Sequence, residues 1–579
     1  MKRKFAVLIL IALIAMLVPA SAGASGVPAW LRPGPGSVVN AALIGDEADV
    51  YVVVFQAPAL ATYQGEVPGL AATNPEALGE VMLDPASEAS QAYLAYMAEY
   101  QDARLAAIEA ALGRSLEVSF RYRAALNGVS VTLTGDEAAL VAALPGVAHV
   151  ERRSFLEPLT ERGPAWIEAD QVWDGSATGG LPGTQGEGIV VGIIDTGVNT
   201  DHPSFADIGP VDGHDHENPR VVHYGLCAPQ NPLLCNDKLI GLYDFTGTGP
   251  EDDVLHGSHV ASTVAGNVVD ATFLAPTTSY SGLISGVAPH ANIISYKVCS
   301  SLAYPQLGAC PIDALIAGID QATIDIVDVI NFSIGGPGTE PWTDPLAQAF
   351  FGARAAGIFV ATSAGNLGPG PGTVGRPANA PWITSVAAST HDRYLANALV
   401  GMSGGGSPAP ADIAGKGFTA GYGPAPIVHA GDYGDALCLA PFAAGTWANG
   451  EIVVCDRGIN GRAEKAANAA AGGAGGYVLA NDEPSGNGLV SDSYVIPGVH
   501  VTYADGLVLK AWLASGSGHT ASIAGVTADI SSEHGDVMAS FSSRGPNAAP
   551  DLLKPDVTAP GVDILAAFHT PDPANPGPD

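Results

Sequence analysis

Positive charge is scarce in this 579-residue chain: 24 Lys and Arg stand against 58 Asp and Glu, a formal net charge of −34. A surface so short of cations repels phosphate backbones, which excludes a nucleic-acid binder that works through basic patches. Cysteine is sparse as well, at six residues in a chain this long, so a small disulfide scaffold is excluded. No pair has the tight C-x2-4-C spacing of a structural zinc site, and neither H-E-x-x-H nor an EF-hand loop occurs. Charged residues make up only 14%, against 72 Gly and 44 Pro, which excludes a charged coiled coil. Beyond the N-terminus no apolar stretch approaches a bilayer-crossing helix. What remains is a chain 47% hydrophobic, too apolar for global disorder and long enough for about three to five folded units. The acidity reads as a solvated surface and by itself names no partner.

Lys2, Arg3 and Lys4 precede an apolar run from Phe5 to Val18, and small residues follow at Ala20 to Ala24. That order is a secretory signal over residues 1–24, with cleavage expected after Ala22 or Ala24. Export permits disulfides. Of the 15 pairings six cysteines allow, sequential grouping favours Cys227 with Cys235, Cys299 with Cys310, and Cys438 with Cys455.

Residues 25–47 are a Gly/Pro/Ala-rich lead-in. Residues 48–154 then read strand (Asp49 to Phe55), helix (Ser87 to Leu112), strands (Val118 to Tyr122 and Val129 to Thr134), helix (Glu137 to Ala143) and strand (His149 to Arg152). This is a compact split β-α-β unit of α+β, ferredoxin-like type. From about Gly186 buried apolar strands alternate with helices, the pattern of a largely parallel α/β sheet covered on both faces, whose active groups gather at the C-terminal strand ends. Tyr394 to Ile530 interrupts that pattern over more residues than a structureless loop tolerates and reads as an inserted module, and the carrier fold resumes at Val537.

Three residues carry chemistry in this pattern. Asp195 terminates the apolar run GIVVGIID, His256 opens HGSHVASTVAG, and Asn366 follows the strand IFVATSAGN. Singly, each has a structural reading: a turn-capping acid, a packing histidine, a turn asparagine. Together they supply a carboxylate to orient an imidazole, a base, and an amide to stabilise an oxyanion.

On these motifs the chain resembles subtilisin-like serine proteases, specifically the cucumisin-like branch with a protease-associated insert. VVGIIDTGVNTDHPSF is similar to the segment of the catalytic Asp, HGSHVASTVAG to that of the general base, and ATSAGNLGP to that of the oxyanion residue, so the resemblance assigns these roles to Asp195, His256 and Asn366. His259 is a helix neighbour outside the catalytic set. NFSIGG resembles the strand that pairs with extended peptide substrates, which places substrate-binding backbone at Ser333, Ile334, Gly335 and Gly336. The resemblance further implies an inhibitory propeptide at 48–154 with self-cleavage around Leu156 to Arg162, a first catalytic part at 160–400, a protease-associated domain at 420–520 holding Cys438 and Cys455, and a second, incomplete catalytic part at 531–579.

The nucleophile motif is missing. FSSRGP and LLKPDVTAPGVDILAA resemble the stretch that leads into the family's G-T-S-M-A-type sequence, but AAFHTPDPANPGPD follows instead. Ser542, Ser543 and Ser403 lack the required context. The expectation is therefore a C-terminally truncated, secreted endopeptidase that is inactive as this chain, acting in its complete form on protein or peptide substrates. The alternative is an inactive homologue serving as a protein-binding module, or a gene fragment. No organic cofactor is required. Structural calcium occurs in the family but has no assignable ligands here, and the run around Asp201, Asp207, Asp212, His214, Asp215 and His216 reads as a polar loop.

Overall fold

The computed structural model describes residues 48–152, 155–158, 163–227, 234–304, 310–547 and 552–568. The signal-like segment 1–24, the lead-in 25–47 and positions 159–162 of the expected cleavage range lie outside the described residues.

The N-terminal unit holds β1 (Ala48–Phe55), α1 (Glu88–Leu112), β2 (Val118–Tyr122), β3 (Gly128–Thr134), α2 (Gly135–Ala142) and β4 (Val147–Arg152). Its four strands form an antiparallel sheet in the order β2-β3-β1-β4. Local chemistry sets the helix starts. The Ser87 hydroxyl accepts the Ser90 N–H at the head of α1, and Thr134 and Glu137 cap each other reciprocally at α2. The chain then forms β5 (Phe155–Pro158).

The central sheet follows, with β6 (Val190–Asp195), β7 (Tyr224–Gly225), β8 (Leu239–Asp244), α3 (His256–Ala265), a hairpin β9 (Val269–Leu274) and β10 (Ser279–Ile284), β11 (Asn292–Lys297), β12 (Cys310–Pro311), α4 (Ile312–Ile324), β13 (Val329–Phe332), β14 (Ile334–Gly335), α5 (Pro345–Ala355), β15 (Phe359–Ser363) and β16 (Thr384–Ser389). From β16 the chain enters a closed seven-stranded barrel. It comprises β17 (Arg393–Ser403), β18 (Ile413–Lys416), β19 (Tyr422–His429), β20 (Ile452–Asp456), α6 (Arg462–Ala471), β21 (Gly476–Ala480), β22 (Gly498–Val501), α7 (Tyr503–Leu513) and β23 (Thr520–Ile530). It returns as β24 (Val557–Pro560), which pairs with β16 in parallel. The main sheet runs β24-β16-β15-β13-β6-β11-β8-β7, with each adjacent pair parallel. Its middle strands β6 and β11 are buried at every position, as expected where helices cover both faces.

Two cores flank the sheet. On one side Leu315, Leu346 and Phe350 of α4 and α5 share a buried cluster with Tyr93, Met97 and Tyr122 of the N-terminal unit. There the buried Asp320 carboxylate accepts the backbone N–H groups of Arg123, Ala124 and Ala125 at 3.1, 2.7 and 2.7 Å, and burial pushes its carboxyl up to about 6. On the other side Val260, Ala261 and Ala265 of α3 pack with Val191, Ile193 and Ala567. The barrel has its own interior of Ile427, Val454, Val478, Val499, Leu509 and Ile523. All three local disulfides expected from the spacing are formed: Cys227–Cys235, Cys299–Cys310 and Cys438–Cys455. Among the described residues no helix is long and apolar enough to cross a membrane.

Candidate active site

Asp195 is the last residue of β6 and fully buried, and His256 is the first residue of α3. The imidazole Nδ1–H donates to Asp195 Oδ1 at 2.6 Å. Tight packing makes this contact. Gly257, next to the histidine, lies against the turn after Asp195, where a Cβ would stand 2.2 Å from the Gly197 carbonyl oxygen. Gly197 itself has φ +104, a left-handed backbone that other residues rarely adopt.

A second carboxylate, which the motifs did not single out, fastens the two segments. Asp252 accepts the Thr196 hydroxyl at 2.7 Å and the Leu255 and Ser258 N–H groups at 2.7 Å each, so one buried side chain holds both the turn after Asp195 and the first turn of α3. Burial pushes its carboxyl above the ordinary value, against the pull of the hydrogen bonds from Ser258 and Thr196. Thr196 completes the link by accepting the Gly257 N–H at 2.7 Å. An acid four residues ahead of a helical histidine is the available sequence signal, a helix-start preference too common to mark a site.

The outer nitrogen of His256, Nε2, is buried and has no hydrogen-bond partner among the described residues. Three serines weighed from the sequence are engaged elsewhere. Ser542 Oγ accepts the Ala388 N–H at 3.0 Å, Ser543 Oγ accepts the Leu367 N–H at 3.1 Å, and Ser403 Oγ lies 2.8 Å from Thr520 Oγ1 in the barrel. Ser543 thus anchors the loop that carries Asn366. His259 Nε2 lies 3.4 Å from the Ile564 carbonyl oxygen, away from Asp195.

Asn366 is exposed and follows β15, two strands from β6 in the sheet order and at the same, C-terminal end. The stretch Ser333 to Gly336 follows β13, between those two strands. Its backbone is already paired. Ile334 and Gly335 of β14 lie antiparallel to Pro158 and Glu157 of β5, whose other edge pairs Leu156 with Cys310 and Phe155 with Pro311. Gly336 exchanges backbone hydrogen bonds with Arg376 at 3.1 and 3.0 Å, and the Ser333 hydroxyl accepts from Asn331 at 3.1 Å. A strand of the chain itself therefore fills the groove between β12 and β14.

The loop around Asp201 to His216 is held by contacts within itself and to neighbouring segments. Asp207 Oδ1 accepts the Asp237 N–H at 2.9 Å, Asp212 Oδ1 accepts the His214 N–H at 3.1 Å, and the His214 ring stacks on His290 with centroids 3.6 Å apart. Among the described residues no group of three or more His, Cys, Asp or Glu could hold a metal ion.

A buried carboxylate holding an imidazole at the carboxyl end of a parallel sheet, beside a groove that takes an extended strand, is an arrangement suited to proton transfer. The model of the subtilase family matches residues 186–577, and the chain belongs to that family. Among its relatives in Arabidopsis thaliana, subtilisin-like protease SBT1.7 is 35% identical over 490 residues, covering 78% of this chain and 60% of the relative. Subtilisin-like protease SBT1.4 is 35% identical over 479 residues, at 78% and 58% coverage. Subtilisin-like protease SBT1.2 is 30% identical over 532 residues, at 86% and 65%. The chain thus spans about three fifths of the length of the curated relatives it matches.

Proposed function

We propose that this chain is the greater part of a secreted subtilisin-like endopeptidase that cleaves peptide bonds by an Asp-His-Ser mechanism. His256 Nε2 takes the proton of a serine hydroxyl as that oxygen attacks the scissile carbonyl, then delivers it to the leaving amine. Asp195 fixes the Nδ1–H tautomer and offsets the charge of the imidazolium. Asn366 donates to the oxyanion. Water then hydrolyses the acyl-enzyme and regenerates the serine. The observation that carries this reading is the part-buried His256 ring, held by Asp195 at 2.6 Å on one nitrogen with the other buried and unpartnered among the described residues. Because the 579 residues hold no family-type nucleophile motif, we place the serine outside them and infer that this chain alone does not turn over substrate.

Residues 48–154 serve as the inhibitory propeptide in this proposal, with β5 lying in the groove as a substrate strand would. The barrel serves as the protease-associated domain of the cucumisin-like branch, and the N-terminal signal with three disulfides supports an extracellular setting. The test compares residues 1–579 with the full reading frame of the gene. A serine-directed fluorophosphonate should label, and a protein substrate should be cleaved by, the longer product only, with both lost in His256→Ala. Robust hydrolysis by residues 1–579, abolished by His256→Ala, would overturn the external placement of the serine. Hydrolysis by the longer product that survives His256→Ala would overturn the mechanism.

A further inference from the structure

We propose that Asp563 is a positioning residue through which the barrel sets the helix bearing His256. The inference rests on the reading of His256 as the base, but its geometry is independent of the chemistry.

Asp563 lies in the segment after β24, three residues past its end. Its side chain is 1% exposed, and its backbone sits at φ 58, a left-handed conformation uncommon outside glycine. Barrel residues hold it there. Lys416, at the end of β18 and itself 5% exposed, places Nζ 2.7 Å from Asp563 Oδ2, and the Ser491 N–H donates to Oδ1 at 2.8 Å. Arg393, at the start of β17, donates from Nη2 to the Asp563 carbonyl oxygen at 2.7 Å. The Lys416 ammonium also lies 4.4 Å over the Tyr394 ring. One residue of the catalytic unit is thus gripped by three separate segments of the barrel.

The residues that follow are stitched to the catalytic helix. The Ile564 carbonyl oxygen lies 3.4 Å from His259 Nε2, the Ala567 N–H donates to Ser262 Oγ at 2.8 Å, and Asn199 Nδ2 donates to the Phe568 carbonyl oxygen at 2.6 Å. His259 and Ser262 belong to α3, and Asn199 follows Asp195 by four positions, with its own N–H donating to Ser258 Oγ at 2.9 Å. Ala567 also packs against Val260, Ala261 and Ala265. A five-residue run, Ile564 to Phe568, therefore bonds to α3 and to the turn after Asp195, and its first neighbour is fixed by the barrel.

Removing one partner of a buried ion pair leaves the other charged and unpaired, so the segment should shift rather than tolerate the loss. A perturbation of the barrel near Lys416 or Ser491 then reaches the helix of His256 through Ile564 and Ala567, one and four residues after Asp563. This supplies a physical two-way link between the inserted module and the base.

The test uses residues 1–579 and measures amide hydrogen exchange over 256–265 together with the NMR titration midpoint of His256, under conditions where melting scans show every variant folded. Asp563→Ala and Lys416→Met should speed exchange in α3 by about tenfold and move the midpoint. Lys416→Arg should return both to near wild type. Lys510→Met, which breaks a barrel ion pair with Asp456, should change barrel peptides alone. Unchanged α3 exchange in a folded Asp563→Ala or Lys416→Met would overturn the proposal. So would equal acceleration of exchange through barrel and sheet together in both folded variants, which is the result for a purely structural pair. Failure of the functional reading looks different: hydrolysis by the full gene product would survive His256→Ala, a result with no bearing on exchange in α3.

Discussion

Two parallel strands in this protein end alike and lead to different chemistry. β6 closes on Asp195 and β20 closes on Asp456, and each carboxylate meets a histidine from a neighbouring segment. Asp195 is fully buried, bonds to His256 at 2.6 Å, and among the described residues pairs with no other cation. Asp456 is 26% exposed, lies 3.5 Å from His429 and bonds to Lys510 at 2.8 Å. Burial raises the Asp456 carboxyl, but His429 and Lys510 outweigh that and hold it below the ordinary value. Asp456 shares its charge between a lysine, a histidine and solvent, whereas Asp195 is sealed from solvent with the His256 ring as its one side-chain partner among the described residues. The difference lies in what accompanies the strand-end acid rather than in the acid itself.

The comparison breaks most sharply at the histidines. In the full gene product His256→Ala should lower kcat by about 10⁴-fold or more, while His429→Ala should leave it within about twofold, both read by steady-state hydrolysis. The carboxylates sharpen it. Asp195→Asn should cost about 10⁴-fold through the wrong tautomer, and Asp456→Asn should show instead as a lower melting temperature with kcat retained. The disulfides extend the contrast to stability. Loss of Cys299–Cys310 should cost about 2–4 kcal/mol and loosen β12 against β5, and loss of Cys438–Cys455 should cost a similar amount with faster exchange confined to the barrel.

The smallest effect is on pH dependence, and its sign differs between the regions. Asp325, buried under the sheet against Tyr296, Gln321 and Tyr243, has its carboxyl pushed up to about 6 by burial. It binds a proton more tightly folded than unfolded, so its contribution is full below about pH 3.8 and is lost as pH rises through about 6. His500 in the barrel is lowered by burial to about 4, so its contribution is present above about pH 6.5 and is lost as pH falls through about 4. Denaturant melts across pH 4–7 should therefore show stability rising with pH in Asp325→Asn relative to wild type. His500→Gln should show the opposite trend, each by on the order of 2 kcal/mol.

What was legible in the sequence is local. An apolar run closed by Asp195, a small-residue helix opened by His256, and cysteines grouped in pairs each announce themselves within a dozen or so residues. The resemblance of those motifs, more than the acid itself, separated Asp195 from Asp456, because an apolar strand ending in Asp occurs at both. What was not legible depends on distant partners. Asp252 matters because Thr196, 56 residues earlier, reaches it. The barrel closes by pairing β17 with β23 across more than a hundred residues. The groove is formed by β12 and β14, two residues each, too short to carry periodicity, and its occupant β5 comes from a different part of the chain. The β9–β10 hairpin interrupts the strand-helix alternation with half-exposed strands that mix polar and apolar residues, which gives no core signal.

The central claim, that Asp195 and His256 act as one acid-base pair, is tested most directly by proton NMR of residues 1–579 with ¹⁵N-labelled histidine. The account predicts a strongly deshielded proton on His256 Nδ1 that vanishes in Asp195→Asn and persists in Asp456→Asn. Its absence from the wild type, or its survival in Asp195→Asn, would contradict the account.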